Sequence, residues 1–174
     1  MKAAAFIDKD GTLIENVPYN ADPARIRLVE RAEEAIEALA AKGFSIIVIS
    51  NQPGVALGFF EEAELKKTEA FLQRCLSGRL DGFYYCPHHP QAGCACRKPQ
   101  PGMLRRAAAD HGLSLKSSWM IGDILDDVEA GRRAGCRTCL IDNGNETEWK
   151  LDAARRPHRI THSLALAAQM IPPP

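Results

Sequence analysis

Short continuous apolar runs alternate along this chain with stretches whose apolar positions recur every three or four residues. Ala3 to Ile7 is unbroken apolar, the mark of a strand buried on both faces. A helix is predicted over about Val29–Lys42, with Ala32, Ala35, Ile36 and Leu39 on one face and Gly43 as its stop. Phe44–Ser50 (FSIIVIS) reads as a second buried strand, followed by the loop NQPGVALG. The next helix runs from Glu61 to about Leu76, with Leu65, Leu72, Cys75 and Leu76 facing inward. Phe83–Cys86 is a third strand and leads into a loop of Cys, His and Pro. Helix Gly102–His111, strand SWMIG, helix Leu125–Ala134 and strand RTCLID continue the alternation, and His158–Thr161 adds a short edge strand before a final helix. This order implies an α/β fold, a mainly parallel sheet with helices on both faces. Ligands of such sheets sit beyond the carboxyl ends of the strands, and each polar motif below falls just after a strand.

Composition narrows the classes. The 174 residues fit one domain spanning 1–174, and 45% hydrophobic with 25% charged residues is ordinary for a globular protein. Lys+Arg and Asp+Glu are 22 each, so no global basic field recruits nucleic acid. No stretch reads as a signal peptide or membrane span. The expectation is a cytoplasmic monomer acting on a small molecule, with its six cysteines reduced or metal-bound.

Candidate chemistry begins where the first strand ends. Asp8 and Asp10 flank Lys9, and Gly11 lets the chain turn away. Side chains at i and i+2 of an extended segment point the same way, so both carboxylates are expected in one crevice. Like charges so placed call for a shared proton or a hard divalent cation, magnesium first. An EF-hand is excluded, since its glycine stands sixth in the loop and Gly11 is fourth from Asp8. After the second strand, Ser50, Asn51 and Gln52 bring a hydroxyl, two amides and loop N–H groups suited to phosphate oxygens. Taken singly, each of these is more often a cap or a turn.

Together they gain weight. Asp-x-Asp-Gly-Thr after an apolar strand resembles the first motif of the haloacid dehalogenase (HAD) superfamily of phosphohydrolases. Ser50, Lys98 in RKPQPGM, and Asp123 in GDILDDVEAGRRAG resemble its second, third and fourth motifs in order. The resemblance implies a HAD-like, Rossmann-like fold without a large cap domain. It makes Asp8 the nucleophile, Asp10 the acid–base group, and Ser50 and Lys98 the phosphoryl ligands. Asp8, Asp123 and the Asp10 main-chain carbonyl would hold magnesium. Asn51 and Gln52 would face sugar hydroxyls, and Arg97 would grip a second phosphate through its planar fork. Asp127 is expected to support the loop, and Asp126 to be solvated or capping.

Cys86, His88, Cys94 and Cys96 form the second cluster, in a loop at about 86–97. Thiolates with an imidazole favour zinc, and four ligands close a tetrahedral structural site. C-x-H…C-x-C just before Arg-Lys-Pro also resembles two HAD subfamilies, the heptose bisphosphate phosphatases and the histidinol-phosphate phosphatases. The loop NQPGVALGFF is similar to the former's NQSGIARG type, departing at Pro53 and Leu57. This resemblance implies removal of the C7 phosphate of D-glycero-D-manno-heptose 1,7-bisphosphate in nucleotide-heptose synthesis for lipopolysaccharide or other surface glycans. Histidinol phosphate is the alternative substrate. From other classes come a catalytically silent zinc-stabilised interaction module and a zinc ribbon for nucleic acid; intact Asp8, Asp10, Lys98 and Asp123 oppose the first and neutral charge the second. His89 is expected to be solvated. Cys136 and Cys139, i and i+3 on a strand, should face opposite sides of the sheet as core residues, and Cys75 is expected in the core.

Overall fold

A computed structural model describes all residues, 1–174. Its strands are β1 (Ala3–Ile7), β2 (Phe44–Asn51), β3 (Gly82–Cys86), β4 (Trp119–Gly122), β5 (Arg137–Ile141) and β6 (Arg159–Thr161). The helices are α1 (Ala32–Ala41), α2 (Glu62–Cys75), α3 (Gly102–His111), α4 (Leu125–Ala134) and α5 (Leu164–Met170). All six strands are parallel, in the order β3-β2-β1-β4-β5-β6. No separate cap domain interrupts the alternation, and no helix is long and apolar enough to cross a membrane.

Alternation along β1 explains the two cores. Ala3, Ala5 and Ile7 pack with Ile36 and Leu39 of α1, Leu72 of α2 and Leu164 of α5. Ala4 and Phe6 pack on the other face with Met103, Leu104 and Ala107 of α3 and Ala130 of α4. The central strand has no solvated face, which is why its sequence is continuously apolar. Cys139 belongs to the first core and Cys136 to the second, so the two thiols lie on opposite sides as expected and neither forms a disulfide.

Helix ends follow local chemistry, with two departures from expectation. α1 starts at Ala32, not near Val29, because Leu28 bridges to Ile14 and the Val29 N–H bonds the Leu13 carbonyl at 3.1 Å. Arg31 then turns in at φ 57°, and the predicted face Ala32, Ala35, Ile36, Leu39 is the one buried. Cys75, at the last turn of α2, is half-buried and not core. Thr68 is fully buried on α2 instead, its hydroxyl donating to the Ala21 carbonyl at 3.0 Å.

From β1 the chain winds outward through β2 and β3, then returns beside β1 at β4 and winds the other way. The connections therefore diverge between β1 and β4. A crevice opens there at the carboxyl edge, the usual ligand site of such sheets.

Candidate active site

Asp8 follows β1 directly and Asp123 follows β4, so the divergence itself brings the two together. The Asp8 N–H donates to the Ile121 carbonyl at 2.9 Å, fixing the strand ends in register. Asp127, in the first turn of α4, completes a buried trio: carboxylate oxygens of Asp8, Asp123 and Asp127 all lie within 4.8 Å of one another. Lys98 enters from the loop after β3. Its Nζ pairs with Asp8 Oδ1, lies 2.6 Å from Asp127 Oδ1, and donates to the Ile49 carbonyl at 3.1 Å.

Burial governs the electrostatics. It drives the Asp8 carboxyl well above the ordinary carboxylate range; Lys98 opposes this, while Asp127, Asp123 and Asp10 add to it. Burial and the Asp127 charge push Asp123 up to about 6. For Lys98 burial works against the charge, but Asp127 and Asp8 outweigh it and hold the ammonium above its usual range. Were all three carboxylates ionised around the one ammonium, the site would carry an excess of two negative charges out of water. All-oxygen donors with that excess fit a hard dication such as magnesium.

The turn after Asp8 shapes the crevice. Gly11 has φ +86°, and a Cβ there would come within 2.2 Å of Asp123 Oδ2. β1 ends at Ile7, one residue before Asp8, so the simple i, i+2 argument for Asp10 does not hold: the two aspartates take different partners. Asp10 Oδ1 lies 3.0 Å from Lys9 Nζ, and Oδ2 accepts from Gln52 Nε2 at 2.8 Å. The same Gln52 nitrogen donates to Ser50 Oγ at 2.7 Å. Asn51 is also engaged: its Oδ1 accepts from the Lys98 N–H at 2.9 Å and its Nδ2 donates to the Lys98 carbonyl at 3.1 Å. Thus both amides expected at the substrate hold neighbouring parts of the site. Arg97 is half-buried, and its Nη1 is enclosed without a hydrogen-bond partner. It shares with Lys98, Cys94, Gln100 and Asp126 a hollow of about 220 Å³. Asp126 is not simply solvated but bonds Arg155 at 3.0 Å. A larger hollow of about 440 Å³ runs along β3, past Tyr84, Tyr85 and Met103, and is lined by none of the site's aspartates.

Several members of the site escaped the sequence reading. Lys9 is fully buried. Thr12 Oγ1 donates to Asp123 Oδ1 at 3.2 Å and Asn145 Nδ2 to Asp123 Oδ2 at 2.7 Å. Asn143 Nδ2 donates to the Gly11 carbonyl at 2.8 Å, and Glu146 caps α4 by accepting from the Leu125 N–H at 2.7 Å. The signal was the polar run NGNE just past β5, at the same sheet edge as the other motifs.

Cys86, His88, Cys94 and Cys96 do converge. His88 Nδ1 lies 3.4 Å from Cys86 Sγ and 3.2 Å from Cys96 Sγ, and the three sulfurs are 3.2–3.6 Å apart. Burial pushes the Cys86 thiol up to about 12. At Cys94 burial is outweighed by the Arg97 N–H and the neighbouring thiols, which bring it down to about 7. Four soft donors with one already acidic thiol fit zinc. His89 stands apart, exposed, accepting from the Gln91 N–H at 3.2 Å.

A parallel sheet with this order, and an aspartate-rich crevice closed by a lysine, define the class of HAD-like hydrolases; the HAD-hydrolase-like family model matches residues 95–167. Among curated relatives, the D-glycero-β-D-manno-heptose-1,7-bisphosphate 7-phosphatase of Pasteurella multocida is 33% identical over 182 residues, covering 98% of this chain and 97% of its own. That of Escherichia coli K12 is 34% identical over 169 residues, covering 86% and 88%. The crystal structure of D,D-heptose 1,7-bisphosphate phosphatase from B. bronchiseptica, complexed with magnesium and phosphate, superposes with a TM-score of 0.85 at 29% identity over 96% of each chain. The chain belongs to this family of heptose bisphosphate phosphatases within the HAD-like hydrolases.

Proposed function

We propose that this protein is a magnesium-dependent phosphatase that removes the 7-phosphate of D-glycero-β-D-manno-heptose 1,7-bisphosphate, in the cytoplasm, on the route to nucleotide-activated heptose. The observation that carries the reading is the buried Asp8–Asp123–Asp127 trio with Lys98 at the sheet's divergence point, in a chain similar along its whole length to enzymes named for that reaction.

Asp8 attacks phosphorus and forms an aspartyl phosphate as the bond to the sugar oxygen breaks. Asp10 gives the leaving alkoxide its proton. It then takes a proton from the water that attacks the same phosphorus and frees Asp8. Ser50 is buried, and its Oγ already accepts from Gln52, so its hydroxyl hydrogen is left for a phosphoryl oxygen. Lys98 meets charge on the same group while keeping Asp8 in place. Asp8, Asp123 and the Asp10 carbonyl would hold magnesium, which when bound neutralises charge between carboxylate and phosphate. Arg97, with its unpartnered Nη1, is the handle for the second phosphate. Cys86, His88, Cys94 and Cys96 would hold a structural zinc that stiffens the segment leading to Arg97 and Lys98.

Phosphate release with magnesium should be measured across both heptose bisphosphate anomers, histidinol phosphate and simple sugar phosphates. Highest kcat/KM on the β-bisphosphate is expected. Asp8→Asn should reduce turnover to background with an unchanged circular dichroism spectrum. Preference for histidinol phosphate, or wild-type turnover by Asp8→Asn, would overturn the substrate or the covalent route respectively.

A further inference from the structure

Lys9, between the two motif aspartates, has no exposed surface. Its Nζ has no hydrogen-bond partner of good geometry, and its one ion-pair partner is Asp10 Oδ1 at 3.0 Å. Gln52, 4% exposed, holds the other oxygen of that carboxylate, and the same nitrogen reaches Ser50 Oγ. Each oxygen of Asp10 therefore has its own anchor. One of the two is tied to the hydroxyl that faces the phosphoryl group in the mechanism above.

A buried lysine is a poor way to stabilise a fold. It must be taken out of water, and replacing a buried ion pair by apolar groups of similar shape is often neutral or favourable. Here the ammonium faces a carboxylate that keeps 29% of its surface exposed. What such a pair supplies is direction. We propose that Lys9 is a positioning residue: with Gln52 it sets the orientation in which Asp10 performs both proton transfers, and the chain Ser50–Gln52–Asp10–Lys9 links phosphoryl binding to the acid–base group. The inference rests on the reading of Asp10 as acid and base. In the first step the Asp10 proton goes to the alkoxide oxygen as its bond to phosphorus breaks, and the charge left on Asp10 is met by Lys9. In the second, a water proton goes to Asp10 as the water oxygen bonds phosphorus and the Asp8–phosphorus bond breaks.

The test uses Lys9→Met, nearly the same length without charge, and Lys9→Arg, on the full-length, metal-loaded enzyme. With the heptose bisphosphate, Lys9→Met should lower kcat about 10- to 100-fold and leave KM within about threefold, part of a typical acid–base contribution. 4-Nitrophenyl phosphate has a leaving group that needs no proton. On it the first turnover should survive as a burst of about one equivalent of nitrophenolate, followed by slow phosphate release from the aspartyl enzyme. Lys9→Arg should recover most of kcat, and melting temperatures should match the wild type. Gln52→Met should show the same burst, which keeps the test decisive if Lys9→Met fails to fold. Asp10→Asn is measured alongside: if it turns over like the wild type, the acid–base reading itself is wrong. If Asp10→Asn is impaired while Lys9→Met keeps its kcat, or loses the burst with the steady state, the assignment of Lys9 falls alone.

Discussion

Lys98 and Arg97 are neighbours with opposite situations. Lys98 pairs with two carboxylates and donates to a carbonyl, whereas Arg97 Nη1 has no partner beside an adjoining hollow. A guanidinium so poised can take a phosphate by two parallel hydrogen bonds. In a bisphosphate only one phosphate reacts, and binding energy from the other can orient it. Arg97→Ala should lower kcat/KM for the heptose bisphosphate about ten- to several-hundred-fold, the loss of a charged hydrogen bond of ~1.5–3 kcal/mol. A matched monophosphate should lose far less, and equal losses on both would move Arg97 to the reacting phosphate or to loop stability. Residue types were legible wherever a motif compressed them into a few positions, as at Asp8 to Gly11. Lys9 and Asn145 were not, because a lysine and an asparagine in polar runs read as solvated until their partners are known.

The segment from Cys86 to Lys98 is the element that joins the two clusters. It contains no helix or strand after β3 ends, so its shape depends on what its side chains bind. Cys86 is fully buried at the end of β3, while Cys94 and Cys96 are only half-buried in the turn beyond. Three thiols and an imidazole converge there, five of their contacts at 3.2–3.6 Å, the donor set a zinc ion would hold. Cys94→Ser should therefore release zinc, lower the melting temperature and reduce turnover together, because metal binding contributes directly to folding free energy. Metal analysis that finds no zinc in the freshly purified native protein would remove the structural-zinc proposal. The bounds of α3 and α4 agree with the periodicity, since each has a sharp stop, Gly112 at φ 63° and Gly135 at φ 92°. The start of α1 was hidden, because Leu28 and Val29 fit the helical pattern but pair instead with the loop after β1.

At the scale of the molecule, one parallel sheet carries the candidate residues at a single edge, on strand ends, on the loops that follow them and in the first turn of α4. Both cores share the strands of that sheet, so neither can unfold without the other. We therefore expect the zinc-loaded protein to melt in a single endotherm of about 120 kcal/mol for its 174 residues. Two resolved calorimetric transitions would show separate domains. The sequence by itself determined the strand and helix order, the buried character of β1, the four acidic, basic and hydroxyl motifs, and the four soft metal donors. These follow from local rules: apolar runs, helical periodicity, glycine stops and short ligand spacings. Tertiary structure alone decided that Asp8 and Asp123 meet, since that depends on β4 pairing beside β1, a pairing of distant segments that the Thr12–Asp123 bond also spans. It also decided that Asn51 and Gln52 turn inward, that Lys98 lies between Asp8 and Asp127, and that the NGNE loop closes on Asp123. Those partners are far apart along the chain, and no local pattern encodes which buried charge will face which.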